Sequence, residues 1–87
     1  MSLPLQQQDD YQSPVTVYTL PNCVQCVAVK RAMNKHGIAY RERDLRDPAH
    51  LEYVKALGYL AAPVTVANDG TSFQGYQPGK VRALLDN

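Results

Sequence analysis

The cysteine pair in the segment PNCVQC is the feature that most limits how this chain can fold. Cys23 and Cys26 are the two cysteines of the 87-residue chain, and two residues separate them. They follow directly on PVTVYTL, residues 14–20, whose β-branched and aromatic residues predict a β-strand. From Cys23 onward, apolar residues recur with the period of a helix. The cysteines are therefore expected at a strand-to-helix junction.

Two helices can be delimited from their end signals. The first is expected to run from Cys23 to Gly37, because glycine ends helices readily. Residues at helical spacing form one face of it: Val29, Ala32, Met33 and His36. The second is expected to start with Asp47 as N-cap and Pro48 as first helical residue, and to end at Gly58. Its apolar residues fall on one face: Leu51, Val54 and Leu57.

The other elements complete the order β-α-β-α-β-β-α. A second strand is expected over residues 38–45, and a third in VTVA after Pro63. The Asp69-Gly70 pair favours a hairpin into a fourth strand near residues 71–74. Pro78 can start a last helix with an apolar stripe: Val81, Leu84 and Leu85. This order predicts an α/β fold, with a four-stranded mixed sheet flanked by three helices.

The chain is expected to form one domain over residues 14–87, preceded by a flexible extension, residues 1–13, which contains QQQDD and no apolar period. Nine basic and eight acidic residues, spread along the chain, give a net charge of +1. This balance argues against nucleic acid or an anionic membrane as partner. Without an export signal or a transmembrane stretch, a cytoplasmic protein is expected. It is expected to be a monomer.

Three interpretations of the cysteine pair compete. Structural zinc normally takes four Cys or His ligands, and besides the cysteines the chain offers only His36 and His50, expected on different helices. A structural disulfide over so short a loop would contribute only about 2 kcal/mol. A C-x-x-C pair beside a βαβ unit in a cytoplasmic protein is instead typical of a thioredoxin-like redox site. The sequence favours the redox interpretation.

The predicted geometry gives the two cysteines different roles. At a helix N-terminus, unpaired N–H groups and the helix dipole lower the pKa of a cysteine from about 8.5 and stabilise its thiolate. Cys23 is therefore expected to attack a substrate disulfide, and Cys26, one turn further on, to resolve the mixed disulfide. No bound cofactor is expected, because the redox group is the Cys23–Cys26 disulfide itself. The residues between them, Val24 and Gln25, are uncharged, which is compatible with a reductant.

Four segments resemble the NrdH redoxins, which are small glutaredoxin-like proteins of the thioredoxin superfamily. They are VTVYTLPNCVQC, HGIAYRERDL, LGYLAAPVTV and FQGYQPGKV, and the resemblance covers about residues 14–87. It implies a thioredoxin/glutaredoxin-like fold, reduction by NADPH-dependent thioredoxin reductase, and electron transfer to the large subunit of class Ib ribonucleotide reductase. It also implies that Cys23 is the nucleophile, Cys26 the resolving cysteine and Pro63 the cis-proline of the fold.

Partner contacts are expected near the cysteines and on two other loops. If the Ala62–Pro63 bond is cis, the backbone groups of Ala62 would be free to pair with an extended substrate segment. Seven residues are predicted to bind partners: Pro21, Val24, Gln25, Ala62, Pro63, Gly75 and Tyr76.

The sequence departs from two family patterns. Leu20 stands where glutathione-binding glutaredoxins usually carry lysine, and residues 75–79 lack the acidic pair that would hold the glutathione amine. The usual NrdH loop, Trp-Ser-Gly-Phe-Arg-Pro, is also altered here at Phe73, Gln74, Tyr76 and Gln77. Phe73 can be either core or partner surface, and Tyr76 either ordinary surface or partner surface.

Three alternatives stay open. The first is a glutaredoxin that depends on glutathione or another low-molecular-weight thiol. The second is a metal-binding module in which two chains share zinc or an iron–sulfur cluster through Cys23 and Cys26. The third is an interaction domain with incidental cysteines.

Overall fold

The computed structural model of the protein describes residues 15–86 and confirms the predicted order of elements. Within this range the strands are β1 Val15–Thr19, β2 Arg41–Asp44, β3 Val64–Ala67 and β4 Ser72–Gln74. The helices are α1 Val24–Lys35, α2 Pro48–Ala56 and α3 Pro78–Ala83, and a 3₁₀ turn, Leu84–Asp86, follows α3. The predicted extension, residues 1–13, lies outside the described residues.

The strands form one mixed sheet in the order β2-β1-β3-β4, as in the thioredoxin/glutaredoxin-like fold. β1 pairs with β2 in parallel and with β3 antiparallel, and β3 pairs with β4 antiparallel. Thr19 at the end of β1 is in register with Asp44 at the end of β2. Because parallel strands end at the same edge of a sheet, the charged end of β2 lies next to the turn that leads into the cysteines.

The larger core lies between the sheet, α1 and α3. Its buried residues come from β1, α1, β4 and α3: Val15, Val17, Val29, Met33, Phe73 and Val81. Full burial of a valine or methionine side chain stabilises the fold by about 1.5–3 kcal/mol. Phe73 is 3% exposed, so it belongs to the core and not to a partner surface.

The smaller core lies under α2, on the opposite face of the sheet. It contains Leu45, Val54 and Val64, against which Tyr18, Tyr59, Ala62 and Val66 pack. Of the three apolar residues predicted to share the α2 face, Val54 alone is buried, while Leu51 and Leu57 are 39% and 42% exposed. A spacing of three residues drifts by about 60° per step on an α-helix. Val54 therefore lies at the centre of the buried face, and the two leucines lie on either side of it.

The helix ends follow the predicted signals. At the end of α1, Gly37 has φ +68° and its N–H bonds to Asn34 O at 3.2 Å, while Ile38 N–H bonds to Met33 O at 2.8 Å. At the start of α2, the Asp47 carboxylate accepts from Ala49 N–H at 2.9 Å. In the last stripe, Val81 is buried but Leu85 is 51% exposed, since the tighter 3₁₀ winding after Ala83 rotates it away.

The second strand is shorter than predicted. The sequence predicts an extended strand over residues 38–45, but β2 comprises only Arg41–Asp44, and all four of its residues are charged. Ile38 and Tyr40, which precede it, pack against the larger core. Charged side chains suit β2 because it is an edge strand, where they discourage pairing with other chains. None of the helices in the described range is long and apolar enough to cross a membrane.

Candidate active site

A tight turn after β1 delivers Cys23 to the start of α1. Leu20, Pro21 and Asn22 connect the strand to the helix, and Asn22 adopts φ +59°. Asparagine tolerates this left-handed conformation better than most residues. Cys23 is then the N-cap of α1, in the extended conformation that an N-cap requires. The structure thus places the pair at the predicted strand-to-helix junction.

Cys23 and Cys26 are joined as a disulfide, with their Cα atoms 5.2 Å apart. The Sγ atom of Cys23 also accepts a hydrogen bond from the Cys26 N–H at 3.1 Å. The two residues differ in access, since Cys23 is half-buried whereas Cys26 is only 2% exposed. A reagent in solution can therefore approach the first sulfur more easily than the second.

The start of α1 favours a negative charge on Cys23. The first turn carries no acidic side chain, and one of its backbone N–H groups already points at the Cys23 sulfur. Unpaired N–H groups and the helix dipole stabilise anions at this end of a helix. If the disulfide opens, a Cys23 thiolate would keep these favourable neighbours.

An open groove of about 830 Å³ runs from the cysteines toward β2. Its apolar part includes Leu20, Val24 and Val27, which are 41%, 84% and 45% exposed. Pro21 and Asn22 also line it. The groove therefore presents an apolar strip beside the sulfur atoms.

The charged part of the groove is neutralised within the protein. Lys30 Nζ lies 3.0 Å from Glu42 Oε2, which also accepts from the Thr19 hydroxyl at 2.8 Å. Arg46 donates to Asp44 Oδ2 from Nη2 at 2.7 Å and to Asp44 Oδ1 from Nε at 3.1 Å, and these hydrogen bonds lower the pKa of Asp44. The cations that line the groove are thus already paired with carboxylates. A carboxylate ligand would have to displace one of these pairs.

The other side of the site is held together by two hydrogen bonds that main-chain N–H groups of the loop after β4 donate. The Ala62–Pro63 peptide bond is cis, and Pro63 O accepts from the Gly75 N–H at 2.8 Å. The side-chain oxygen of Gln25 accepts from the Tyr76 N–H at 3.0 Å. These two bonds join the cysteine turn, defined as residues 23–26 at the start of α1, to the residue before β3 and the loop after β4.

Most of the residues predicted to bind partners are thus brought together, but on two sides. Pro21 and Val24 line the groove. Gln25, Pro63, Gly75 and Tyr76 are connected by the two hydrogen bonds on the other side, and Tyr76 is 38% exposed. The side chain of Ala62 instead packs against the smaller core.

The histidines lie apart from the cysteine pair. His36 is the C-cap at the far end of α1. His50 lies on α2, with Nδ1 3.1 Å from Asp44 O and its ring edge-on to Tyr18. Within residues 15–86, no three His, Cys, Asp or Glu side chains converge on a point where they could hold a metal ion.

Sequence reasoning missed two features of the site. The ion pairs that border the groove could have been anticipated from the parallel pairing of β1 and β2, which brings Glu42 and Asp44 to the cysteine edge. The bond from Gln25 to Tyr76 spans 51 positions, and no local pattern announces it.

Comparison with known proteins places these features in a family. A sequence profile of the glutaredoxin family matches residues 15–71. The glutaredoxin-like protein NrdH of Lactococcus lactis subsp. cremoris is 38% identical over 71 residues, which cover 80% of this chain and 97% of that protein. The solved structure of the NrdH-redoxin of Escherichia coli, described for its thioredoxin-like activity profile, superimposes with a TM-score of 0.76 at 37% identity. That match covers 80% of this chain and 92% of the other.

Proposed function

This chain belongs to the glutaredoxin-like NrdH proteins and is a thiol-disulfide oxidoreductase; from that premise we propose that it reduces protein disulfides through Cys23 and Cys26. The electrons would come from NADPH-dependent thioredoxin reductase and pass to the large subunit of class Ib ribonucleotide reductase. The observation that carries the proposal is the asymmetry of the pair, with Cys23 accessible at a helix N-terminus and Cys26 buried behind it.

In the proposed reaction, the Cys23 thiolate attacks one sulfur of a substrate disulfide. That S–S bond breaks, a Cys23–substrate disulfide forms, and the leaving thiolate takes up a proton. Cys26 then loses its proton and attacks Cys23 Sγ, which releases the second substrate thiolate and closes the Cys23–Cys26 disulfide. The second substrate thiolate takes up the proton that Cys26 lost, and the first takes its proton from solvent. The substrate thus gains two electrons and two protons, of which the Cys23 thiolate and Cys26 thiol supply both electrons and one proton. A reductase dithiol, recharged by NADPH, reverses the oxidation.

Two observations support a protein reductase over glutathione as the source of electrons. Leu20 presents an apolar side chain at the groove, where a cation would be needed for a carboxylate. The groove cations Lys30 and Arg46 already serve Glu42 and Asp44. Glutathione would therefore leave charged groups unpaired, at a cost in affinity. The cytoplasm, where thiols are kept reduced, is the compartment that the proposal implies.

A coupled assay tests the proposal. NADPH oxidation would be followed during reduction of a protein disulfide, with the protein regenerated by thioredoxin reductase in one arm and by glutathione plus glutathione reductase in the other. We expect turnover in the first arm, and its loss in Cys23→Ser. Turnover in the glutathione arm alone would overturn the proposal and identify a glutathione-dependent glutaredoxin. No NADPH oxidation in either arm, together with metal in the purified protein, would identify a metal-binding module.

A further inference from the structure

We infer that Gln25 is a positioning residue that locks the Tyr76 loop against the cysteine turn and thereby sets the affinity for macromolecular redox partners. The Tyr76 loop is here residues 75–77, between β4 and α3. The inference rests on the proposed function, because it concerns the surface that a reductase or a protein disulfide would meet. The argument starts from the hydrogen bond between Gln25 and the loop.

The bond joins two segments that are far apart in the chain. Gln25 Oε1 accepts from the Tyr76 N–H at 3.0 Å, across 51 positions. Gln25 lies between the cysteines, in the first turn of α1, so any movement of the loop relative to this side chain is a movement relative to the sulfur atoms. Because a hydrogen bond is directional, this bond fixes both the distance and the orientation of the Tyr76 main chain relative to the cysteine turn.

The loop is shaped to accept this side chain. Gly75 has φ +79°, and a Cβ atom at this position would come within 3.1 Å of Gln25 Oε1. Glycine thus serves both the left-handed backbone and the close approach of the amide. The neighbouring Gly75 N–H is bonded to Pro63 O at 2.8 Å. The loop is consequently held on one side by Pro63, which directly precedes β3, and on the side toward the cysteines by Gln25.

The consequence concerns recognition more than sulfur chemistry. Gln25 is uncharged, and the hydrogen bond to Cys23 Sγ comes from the Cys26 N–H. What Gln25 holds in place is the backbone of Tyr76, a residue that is 38% exposed. Aromatic rings held in one position are favourable contact points in protein interfaces, because little freedom is lost on binding. Release of the loop should therefore raise the KM for a protein partner and leave the reactivity of the dithiol unchanged.

The test replaces Gln25 by methionine, which has similar length and helix propensity but lacks the strong acceptor. The matched control is Gln74→Met, because Gln74 is an exposed glutamine on β4, next to the loop. Loss of one hydrogen bond should accelerate amide hydrogen exchange at Tyr76 about fivefold. Exchange at Gly75, whose bond goes to Pro63, should change less. Gln74→Met should leave both rates unchanged.

Kinetics then separate positioning from chemistry. With Gln25→Met as the substrate, we expect the KM of thioredoxin reductase for this protein to rise about fivefold. The kcat of that reaction and the reduction potential of the disulfide should stay unchanged. Gln25→Glu keeps an oxygen acceptor and should restore the slow exchange at Tyr76. Unchanged Tyr76 exchange, an unchanged KM, or a changed reduction potential in Gln25→Met would overturn the inference. If the wild-type protein itself fails with thioredoxin reductase, the proposed function fails instead, and the exchange data still decide whether Gln25 holds the loop.

Discussion

Cys23 and Cys26 are three positions apart, yet the two ends of this helical turn have different surroundings. The exposed end, formed by Leu20, Cys23 and Val24, borders the open groove. The buried end, formed by Cys26 and Val29, contacts solvent hardly at all, and Val29 belongs to the larger core. The difference separates two tasks for the residues beside the cysteines: substitutions at the exposed end should leave the stability of the fold nearly unchanged, and substitution of Val29 at the buried end should lower it, while both cysteines are needed for the redox reaction.

The largest expected effect comes from the cysteines themselves. Cys23→Ser should reduce turnover to the rate without the protein, because no nucleophile remains. Cys26→Ser should also stop turnover, but it should accumulate one equivalent of a Cys23 mixed disulfide, since attack occurs and resolution does not. Mass spectrometry of the unreduced products measures this. Accumulation in Cys23→Ser instead would reverse the assignment of the two ends.

A pair of valine substitutions tests the separation of function from stability within one helix. Val29→Ala should lower the free energy of unfolding by about 2 kcal/mol, because Val29 is fully buried and a cavity remains. Val24→Ala should change it by less than about 0.5 kcal/mol, because Val24 is 84% exposed. Urea denaturation measures both values. Equal losses would contradict the division between the two ends.

The Tyr76 loop is bonded to the cysteine turn through Gln25, and substitution of Gly75 tests the backbone of this loop. Gly75→Ala should destabilise the protein by about 1–2 kcal/mol, because it forces alanine into a left-handed conformation and close to Gln25. Gly79→Ala is the control, since a Cβ at this position meets no atom within 4 Å. Thermal denaturation should show a lower Tm for Gly75→Ala than for wild type. The Tm of Gly79→Ala should not fall.

The smallest effect is expected from the ion pairs of the groove, because exposed pairs contribute little. Arg46 lowers the pKa of Asp44, so the pair stabilises the folded protein at neutral pH. That contribution should disappear as the pH falls through the lowered pKa. Asp44→Asn should accordingly be slightly less stable than wild type at pH 7, and the difference should vanish in acid. A stability difference between wild type and Asp44→Asn that grew as the pH fell would contradict this assignment.

The order of elements could be predicted from local signals because each boundary carries its own chemistry. Asp47 and Pro48 start α2, and Gly37 ends α1, by contacts within a few residues. The position of the cysteines at the start of α1 follows from the same kind of signal. Local pattern was therefore enough for the fold and for the redox pair.

The remaining features depend on contacts between distant segments. Whether Leu51 would be buried depends on how α2 lies on the sheet, and spacing alone did not decide it. Phe73 could be assigned to the core only from the structure, in which it packs with residues of β1, α1 and α3. The bond from Gln25 to Tyr76 requires both loops in position. Sequence reasoning thus identified the reactive group, and the structure identified what surrounds it.

The most direct test of the account is the rate at which each cysteine of the reduced protein is alkylated. The reduced protein would be pulsed with iodoacetamide at pH 7, and the labelled peptides quantified by mass spectrometry. The account predicts that Cys23 reacts at least about tenfold faster than Cys26, because it is accessible and its thiolate is stabilised by the helix N-terminus. Equal rates, or faster labelling of Cys26, would contradict it.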